Sequence, residues 1–194
     1  DALPIYFAAL EEEILGVWAR ENTFETSVAY RAPRKADGGS NAYVFYDGPP
    51  FANGSPHYGH LLTGYVKDAI ARYHTMKGAR VERRFGWDCH GLPIEHQVLK
   101  ELGDKKRDLD ALAIRKLCKE YAEKYVAIQR EEFQRLGVLG EWQQPYLTLN
   151  PAYEGTIIRE FGRFVERGGV YKGLKPVLWC TQDQTALAEA EVFA

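Results

Sequence analysis

Apolar positions recur at three- and four-residue steps along much of the chain. Phe7, Leu10, Ile14, Val17 and Trp18 predict a helix over 5–21, with Glu11, Glu12 and Glu13 turned to water. RAPRKADGGSN (31–41) is polar, ends in turn formers and reads as a loop. Ala42–Tyr46 is apolar throughout and predicts a short strand, central in a parallel sheet. Residues 47–56 hold too much Gly and Pro for regular structure. Leu62, Val66, Ile70, Tyr73 and Met76 form a helical stripe that Gly78 ends. Val81, Arg83 and Phe85 alternate with Glu82, Arg84 and Gly86 as in a strand. The turn-rich GWDCHGLP (86–93) follows, then a helix over Ile94–Leu102 stopped by Gly103.

Strand, loop, helix, strand, loop, helix is the pattern of βαβ units and a parallel sheet. Both unusual loops leave carboxyl ends of strands, where open α/β sheets bind ligands. Further on, Ile114, Leu117, Tyr121, Tyr125 and Ile128 predict a long helix over 109–136, its face extended by Phe133 and Leu136. Residues 137–151, with Trp142 and two prolines, read as a loop. A helix over Tyr153–Arg167 carries Ile157, Ile158, Phe161 and Val165 and ends at Gly168-Gly169. Val170–Trp179 reads as extended, and no internal repeat is visible.

Composition narrows this picture only a little. With 194 residues and 45% apolar content, the chain can bury a core. A net charge of -2 excludes a chain that traps nucleic acid by overall charge. Lys105, Lys106, Arg107, Arg115, Lys116, Lys119 and Lys124 make one helix start basic, which is either a solvated face or an RNA contact. Cysteines at 89, 118 and 180 are odd in number and widely spaced, which fits a reducing compartment. No apolar run nears the ~20 residues of a membrane span, and no secretory leader pattern opens the chain. The expectation is a soluble cytoplasmic α/β protein.

The loop GPPFANGSPHYGHL (48–61) matches neither GxxxxGK[ST] nor GxGxxG. A helix starting near Tyr58 still offers unpaired N–H groups and a positive dipole end, which suit phosphate. His57 and His60 are three apart and share a face of that first turn, where imidazoles can donate to phosphate oxygens. Gly59 leaves room for a flat ring against the backbone. Two surface histidines in a turn, or half of a metal site, are the alternatives. Gly48-Pro49 directly after the strand puts rigid apolar backbone at the sheet edge; it forms a pocket wall or merely redirects the chain. In the second loop, Asp88 stands among Trp87, Cys89 and His90, between Gly86 and Gly91. A carboxylate so placed needs a partner: a substrate ammonium group, or the N–H groups of a helix that it caps. Cys89 and His90 are neighbours on extended chain and point apart, which argues against a nucleophile pair.

HYGH (57–60), preceded by DGPPFANGSP, resembles the HIGH signature of class I aminoacyl-tRNA synthetases. GWDCHGLPIE (86–95) resembles the partner motif of the branched-chain subgroup, closest to isoleucyl-tRNA synthetases. RLGVLGEWQQPYLT (135–148) and GLKPVLWC…TALAEAEV (173–192) continue the likeness, which covers nearly the whole chain from about Thr23. The wording GWDCHG and DGPP favours the isoleucyl group over the valyl and leucyl relatives.

The resemblance implies an α/β fold: a Rossmann-type parallel sheet, the first half of the HIGH-motif nucleotide-binding fold, with helices on both faces. It implies that residues 1–41 lead into the catalytic domain, 42–169 form its first half, and 170–194 begin the connecting and editing insertion. It implies ATP-dependent activation of L-isoleucine, with Mg2+, and transfer to tRNA(Ile). His57 and His60 would contact ATP phosphates, Asn53 and Gly59 would border the adenosine, Gly48 and Pro49 would line the amino-acid pocket, and Asp88 would hold the α-ammonium. The parent would be a monomer.

The chain departs from the family pattern in two ways. Tyr58 replaces the isoleucine of HIGH. CTQD (180–183) stands where many relatives carry CxxC, and Cys180 with Asp183 makes a poor tetrahedral zinc set. No zinc is therefore expected in this segment, whatever the longer parent binds. The resemblance also places a KMSKS loop, the second half of the nucleotide fold, an editing domain and an anticodon-binding domain outside these residues. The chain reads as the first part of a longer enzyme. A valyl or leucyl specificity, or a nucleotide- or tRNA-binding module without turnover, are the competing readings.

Overall fold

A computed structural model describes residues 6–182 and 184–188. Two helices open the chain, α1 (Phe7–Arg20) and α2 (Thr23–Ala29). After an irregular stretch come α3 (Tyr58–Met76), β1 (Arg84–Trp87), α4 (Leu92–Leu102), a 3-10 turn (Gly103–Asp108), α5 (Ala111–Arg135), β2 (Glu141–Leu147) and α6 (Pro151–Glu166). A short hairpin of β3 (Trp179–Cys180) and β4 (Thr185–Ala186) follows. Contacts divide the chain into two units, one up to Tyr153 and one from Glu154.

The first unit is built on parallel pairing. β1 pairs with β2, Gly86 opposite Tyr146 and Trp87 opposite Leu147, with an irregularity after Arg84↔Glu141. The segment before α3 runs beside the same strand on its other edge, with parallel bridges Ala42↔Arg80 and Phe51↔Asp88. The chain between two parallel neighbours must cross over, and it does so twice: through α3, and through α4 and α5. A parallel sheet flanked by helices is the result.

Three local expectations are corrected. Ala42–Tyr46 is not a strand. Val44 is 65% and Tyr46 92% exposed, so these apolar side chains do not enter the core, and the backbone pairs with its neighbour through isolated bridges. Pairing on the neighbouring strand begins at Arg84 rather than Val81 and runs into Trp87. Residues 141–147, read as loop, form β2. Trp142 anchors that strand, its ring stacked on Phe85 at 3.9 Å.

The core lies where β1 meets α4 and α5: Trp87, Cys89, Ile94, Val98, Ala122, Val126, Phe133, Trp142 and Leu149. The buried face of α5 is Ala122, Val126, Gln129 and Phe133. That face is rotated from the stripe of Tyr121, Tyr125 and Ile128, which is only half-buried. α3 is tied to its neighbours by charge. Asp68 pairs with Arg72 at 2.6 Å and with Arg83, and the Arg72 guanidinium lies 4.9 Å over the Trp18 ring of α1. Gly78, at φ +94°, takes the left-handed turn that ends α3.

In the second unit, α6 ends at Gly168 (φ +72°), whose N–H and that of Gly169 return to the carbonyls of Val165 and Phe164. The hairpin pairs Trp179 with Ala186 and Cys180 with Thr185. Asp183 and residues 189–194, which include the end of the 173–192 likeness, lie outside the described residues.

Candidate nucleotide and amino-acid site

The glycine- and proline-rich segment at 48–56 delivers the chain to α3 with His57 as its N-cap. His57 keeps an extended backbone (φ -116°, ψ 176°), and its Nδ1 accepts the Gly59 N–H at 3.1 Å. In return, Nδ1 of His60 accepts the His57 N–H at 3.2 Å. This is a reciprocal capping box built from imidazoles instead of Ser and Glu. An imidazole whose Nδ1 accepts carries its proton on Nε2, so each ring keeps one outward N–H donor beside the helix N-terminus. The rings sit 4.0 Å apart, tilted by 47°.

The surroundings of His60 disfavour its charged form. Its pKa is lowered by burial first, then by His57 and Lys67 nearby. Gly59 has a steric reason: a Cβ there would lie 2.9 Å from Cε1 of His57. The flat ring that packs on Gly59 is thus the chain's own histidine.

Gly48 and Pro49 line a cavity of about 500 Å³ together with His60, Lys67 and Tyr146. Gly48 has open space where a Cβ would stand. Asp47, just before it, pairs with Lys67 of α3 at 2.5 Å.

Asp88 sits at the carboxyl end of β1. Its backbone is fixed on both sides, N–H to the Pro50 carbonyl at 2.8 Å and carbonyl from the Ala52 N–H at 3.0 Å. Its carboxylate does not cap α4: the N-cap is Gly91, at φ +91°. Oδ1 accepts a long bond, 3.4 Å, from the His90 N–H. Cys89 is buried and His90 exposed, as expected of neighbours on extended chain. Burial pushes the Cys89 thiol up, which leaves it a poor nucleophile.

Asn53 faces α5, and its carbonyl accepts the Tyr121 hydroxyl at 3.4 Å. The structure therefore brings Gly48, Pro49 and His60 to one cavity, with His57 joined to His60 through the cap. Asp88 and Asn53 belong to the two backbone segments that pair beside it. Among the described residues no group of three or more His, Cys, Asp or Glu could hold a metal.

Sequence reasoning missed Lys67, Tyr146 and Gln129. Lys67 follows His60 by seven residues on α3, a spacing that could have flagged it. The Tyr146 hydroxyl is pushed up to about 12 by its hydrogen bond with Tyr153, then by burial and by the charges of Tyr153 and Asp88. It stays a protonated donor near Asp88. Gln129 is a polar residue on the buried face of α5, a signal that was present in the spacing.

Residues 13–194 match the family of class I tRNA synthetases for I, L, M and V. The chain belongs to this family. Among its relatives are the isoleucine–tRNA ligases of Nitratidesulfovibrio vulgaris (strain DP4), 50% identical over 182 residues, and of Geobacter sulfurreducens, 52% identical over 182 residues. Each alignment covers 94% of this chain and 19% of the relative, so the chain spans about a fifth of their length. Its fold is shared with the LeuRS of Agrobacterium radiobacter K84, solved in a ternary complex with tRNA and LeuAMS. That match has a TM-score of 0.68 at 22% identity, over 92% of this chain and 20% of that one. No described helix of this synthetase segment is long and apolar enough to cross a membrane.

Proposed function

We propose that this segment is the ATP- and amino-acid-binding start of a cytoplasmic, monomeric synthetase that activates L-isoleucine and transfers it to tRNA(Ile). The observation that carries the reading is the histidine capping box. It leaves two imidazole Nε2–H donors at the mouth of α3, beside a cavity walled by Gly48 and Pro49. Relatives named isoleucine–tRNA ligases support the choice of amino acid.

In the reaction, a carboxylate oxygen of isoleucine attacks the α-phosphorus of ATP. The bond to the bridging oxygen breaks, and pyrophosphate leaves with the electron pair. No side chain needs to act as nucleophile. The protein must align the reactants and meet the charge that develops on phosphate. His57 and His60 donate through Nε2–H to phosphate oxygens, in line with the positive end of α3. Asn53 and Gly59 border the adenosine. Asp88 pairs with the α-ammonium, and Gly48 and Pro49 wall the side chain. The described residues offer no three-ligand cage for Mg2+, so an ion accompanying ATP would be carried by the phosphates.

Amino-acid-dependent exchange of pyrophosphate into ATP by the full-length enzyme tests the reading. Isoleucine should drive exchange faster than valine or leucine. Preference for valine or leucine, or no exchange with any amino acid, overturns it.

A further inference from the structure

One buried amide ties the two signature segments together beside their direct backbone pairing at Phe51↔Asp88. Gln129 of α5 is 1% exposed. Its Nε2 donates to the Phe51 carbonyl at 3.0 Å and to the Gly54 carbonyl at 2.6 Å. Its Oε1 accepts the Trp87 indole N–H at 2.9 Å. Both amide hydrogens and the carbonyl oxygen are thus used. The carbonyls of an irregular segment have no ladder partner, and buried without one each would be costly. Gln129 supplies two of those partners on one side of 50–54, while Asp88 grips Pro50 and Ala52 from the other. Trp87, fully buried, precedes Asp88 directly.

We infer that Gln129 is a positioning residue for adenylation, fixing the course that 51–54 takes toward His57 against the strand end that carries Trp87 and Asp88. The inference rests on the proposed function for its chemistry, and on geometry alone for the clamp. A single planar group bonded to both segments fixes their relation in a way that apolar packing cannot. Attack of one bound substrate on another depends steeply on alignment, and a misplacement of about 1 Å can cost on the order of 100-fold. In the proposed binding mode ATP contacts the first segment alone and senses the clamp little, whereas isoleucine reaches both.

The test uses Gln129→Met and Gln129→Glu in the full-length enzyme. Met keeps the volume and removes all three bonds. The expected result is a kcat for isoleucine-dependent pyrophosphate exchange lower by about tenfold or more, with KM for ATP within about threefold. An ionised Glu cannot donate to the two carbonyls, but the neutral acid can donate to one and still accept from Trp87. The deficit of Gln129→Glu relative to the parent should shrink from pH 8 to pH 6, while that of Gln129→Met stays constant. Amide hydrogen exchange provides the second readout: both variants at pH 8 should lose protection at 51–61 and keep it in the rest of α5.

Unchanged kcat in Gln129→Met overturns the inference. So does a loss of activity that only follows a lost folded fraction, with protection falling across all of α5. If the parent shows no exchange with any amino acid, the proposed function fails. The protection pattern at 51–61 then decides the clamp by itself.

Discussion

The ring of Tyr146 stands so close to Gly86 that a Cβ on the glycine would lie 2.6 Å from Cδ1 and 2.9 Å from the Tyr146 carbonyl oxygen. The two residues are opposite each other in the parallel register of β1 and β2. A methyl group there meets backbone as well as side chain, so neither strand can yield cheaply. Gly86→Ala should destabilise the first unit by about 1–3 kcal/mol, the usual cost of overpacking. It should also displace Tyr146 from the cavity. Denaturant unfolding checks the first effect; an unchanged midpoint would show that the strands adjust freely.

The histidine cap makes stability and catalysis separable. His57→Ala should cost about 1 kcal/mol through the lost cap and lower adenylation about 100-fold or more through the lost phosphate donor. His57→Asn restores an acceptor for the Gly59 N–H but not the Nε2–H, so it should recover stability and not rate. His60→Ala should likewise lower the exchange rate more than it weakens isoleucine binding. Exchange rates measured beside isoleucine affinity decide the matter, and near-normal exchange in both Ala variants would remove the histidines from the reaction.

Protonation should undo the same cap. A charged His60 carries a hydrogen on Nδ1 and can no longer accept the His57 N–H, and a cation at a helix N-terminus opposes the dipole. The folded pKa lies below the ordinary 6.5. As pH falls through 6.5 the unfolded chain takes up this proton first, so stability declines from there down to the folded value and is unaffected above 6.5. Urea midpoints from pH 7.5 to 5.5 should therefore fall less steeply in His60→Asn than in the parent. Equal slopes would mean that the folded His60 titrates like a free histidine.

The longer helices were legible because their signals are local, whereas the seven-residue α2 (Thr23–Ala29) was not predicted. Tyr58–Met76 and Ala111–Arg135 carry helical apolar spacing along their own length, each with a positive-φ glycine, Gly78 or Gly137, just past its end. β2 was not legible, because Gln143, Gln144 and Pro145 break any alternation, and pairing with β1 and the Trp142–Phe85 stack define it. The reverse error at Ala42–Tyr46 has the same root: apolar residues predict a buried strand, yet only tertiary contacts decide whether they are covered. In the site, His57 and His60 could be read from spacing. Gln129 meets carbonyls 78 and 75 residues away, and Tyr146 meets Gly86 across the sheet; no local pattern encodes such partners.

Asp88 offers a sharper test of amino-acid recognition now that α4 is seen to be capped by Gly91. Asp88→Asn keeps shape and removes charge. Its own backbone bonds to Pro50 and Ala52 do not depend on the side chain, so the variant should fold normally. Loss of a charge-assisted bond to an ammonium group should weaken isoleucine binding by about 1.5–3 kcal/mol, roughly 10- to 150-fold. Binding measured by calorimetry should show this loss while ATP affinity changes little. An Asn variant that binds isoleucine as the parent does would leave Asp88 with a structural role alone.

Two helices present apolar faces to solvent. On α3, Leu62 is 69%, Tyr65 76% and Met76 77% exposed; on α6, Ile158 is 69%, Phe161 57% and Phe164 62% exposed. Large contiguous apolar patches on soluble chains mark surfaces that something covers. The polypeptide of residues 1–194, produced alone, should therefore associate with itself. Its sedimentation coefficient should rise with concentration, and it should bind a hydrophobic dye in the folded state. Charged substitutions at the patch centres, Tyr65→Lys on α3 and Phe161→Lys on α6, remove apolar area without touching the buried core, and should shift the equilibrium toward monomer while helix content is kept. A monomer at every concentration, with no dye binding, would mean that these stripes are tolerated in water and that their exposure does not drive association.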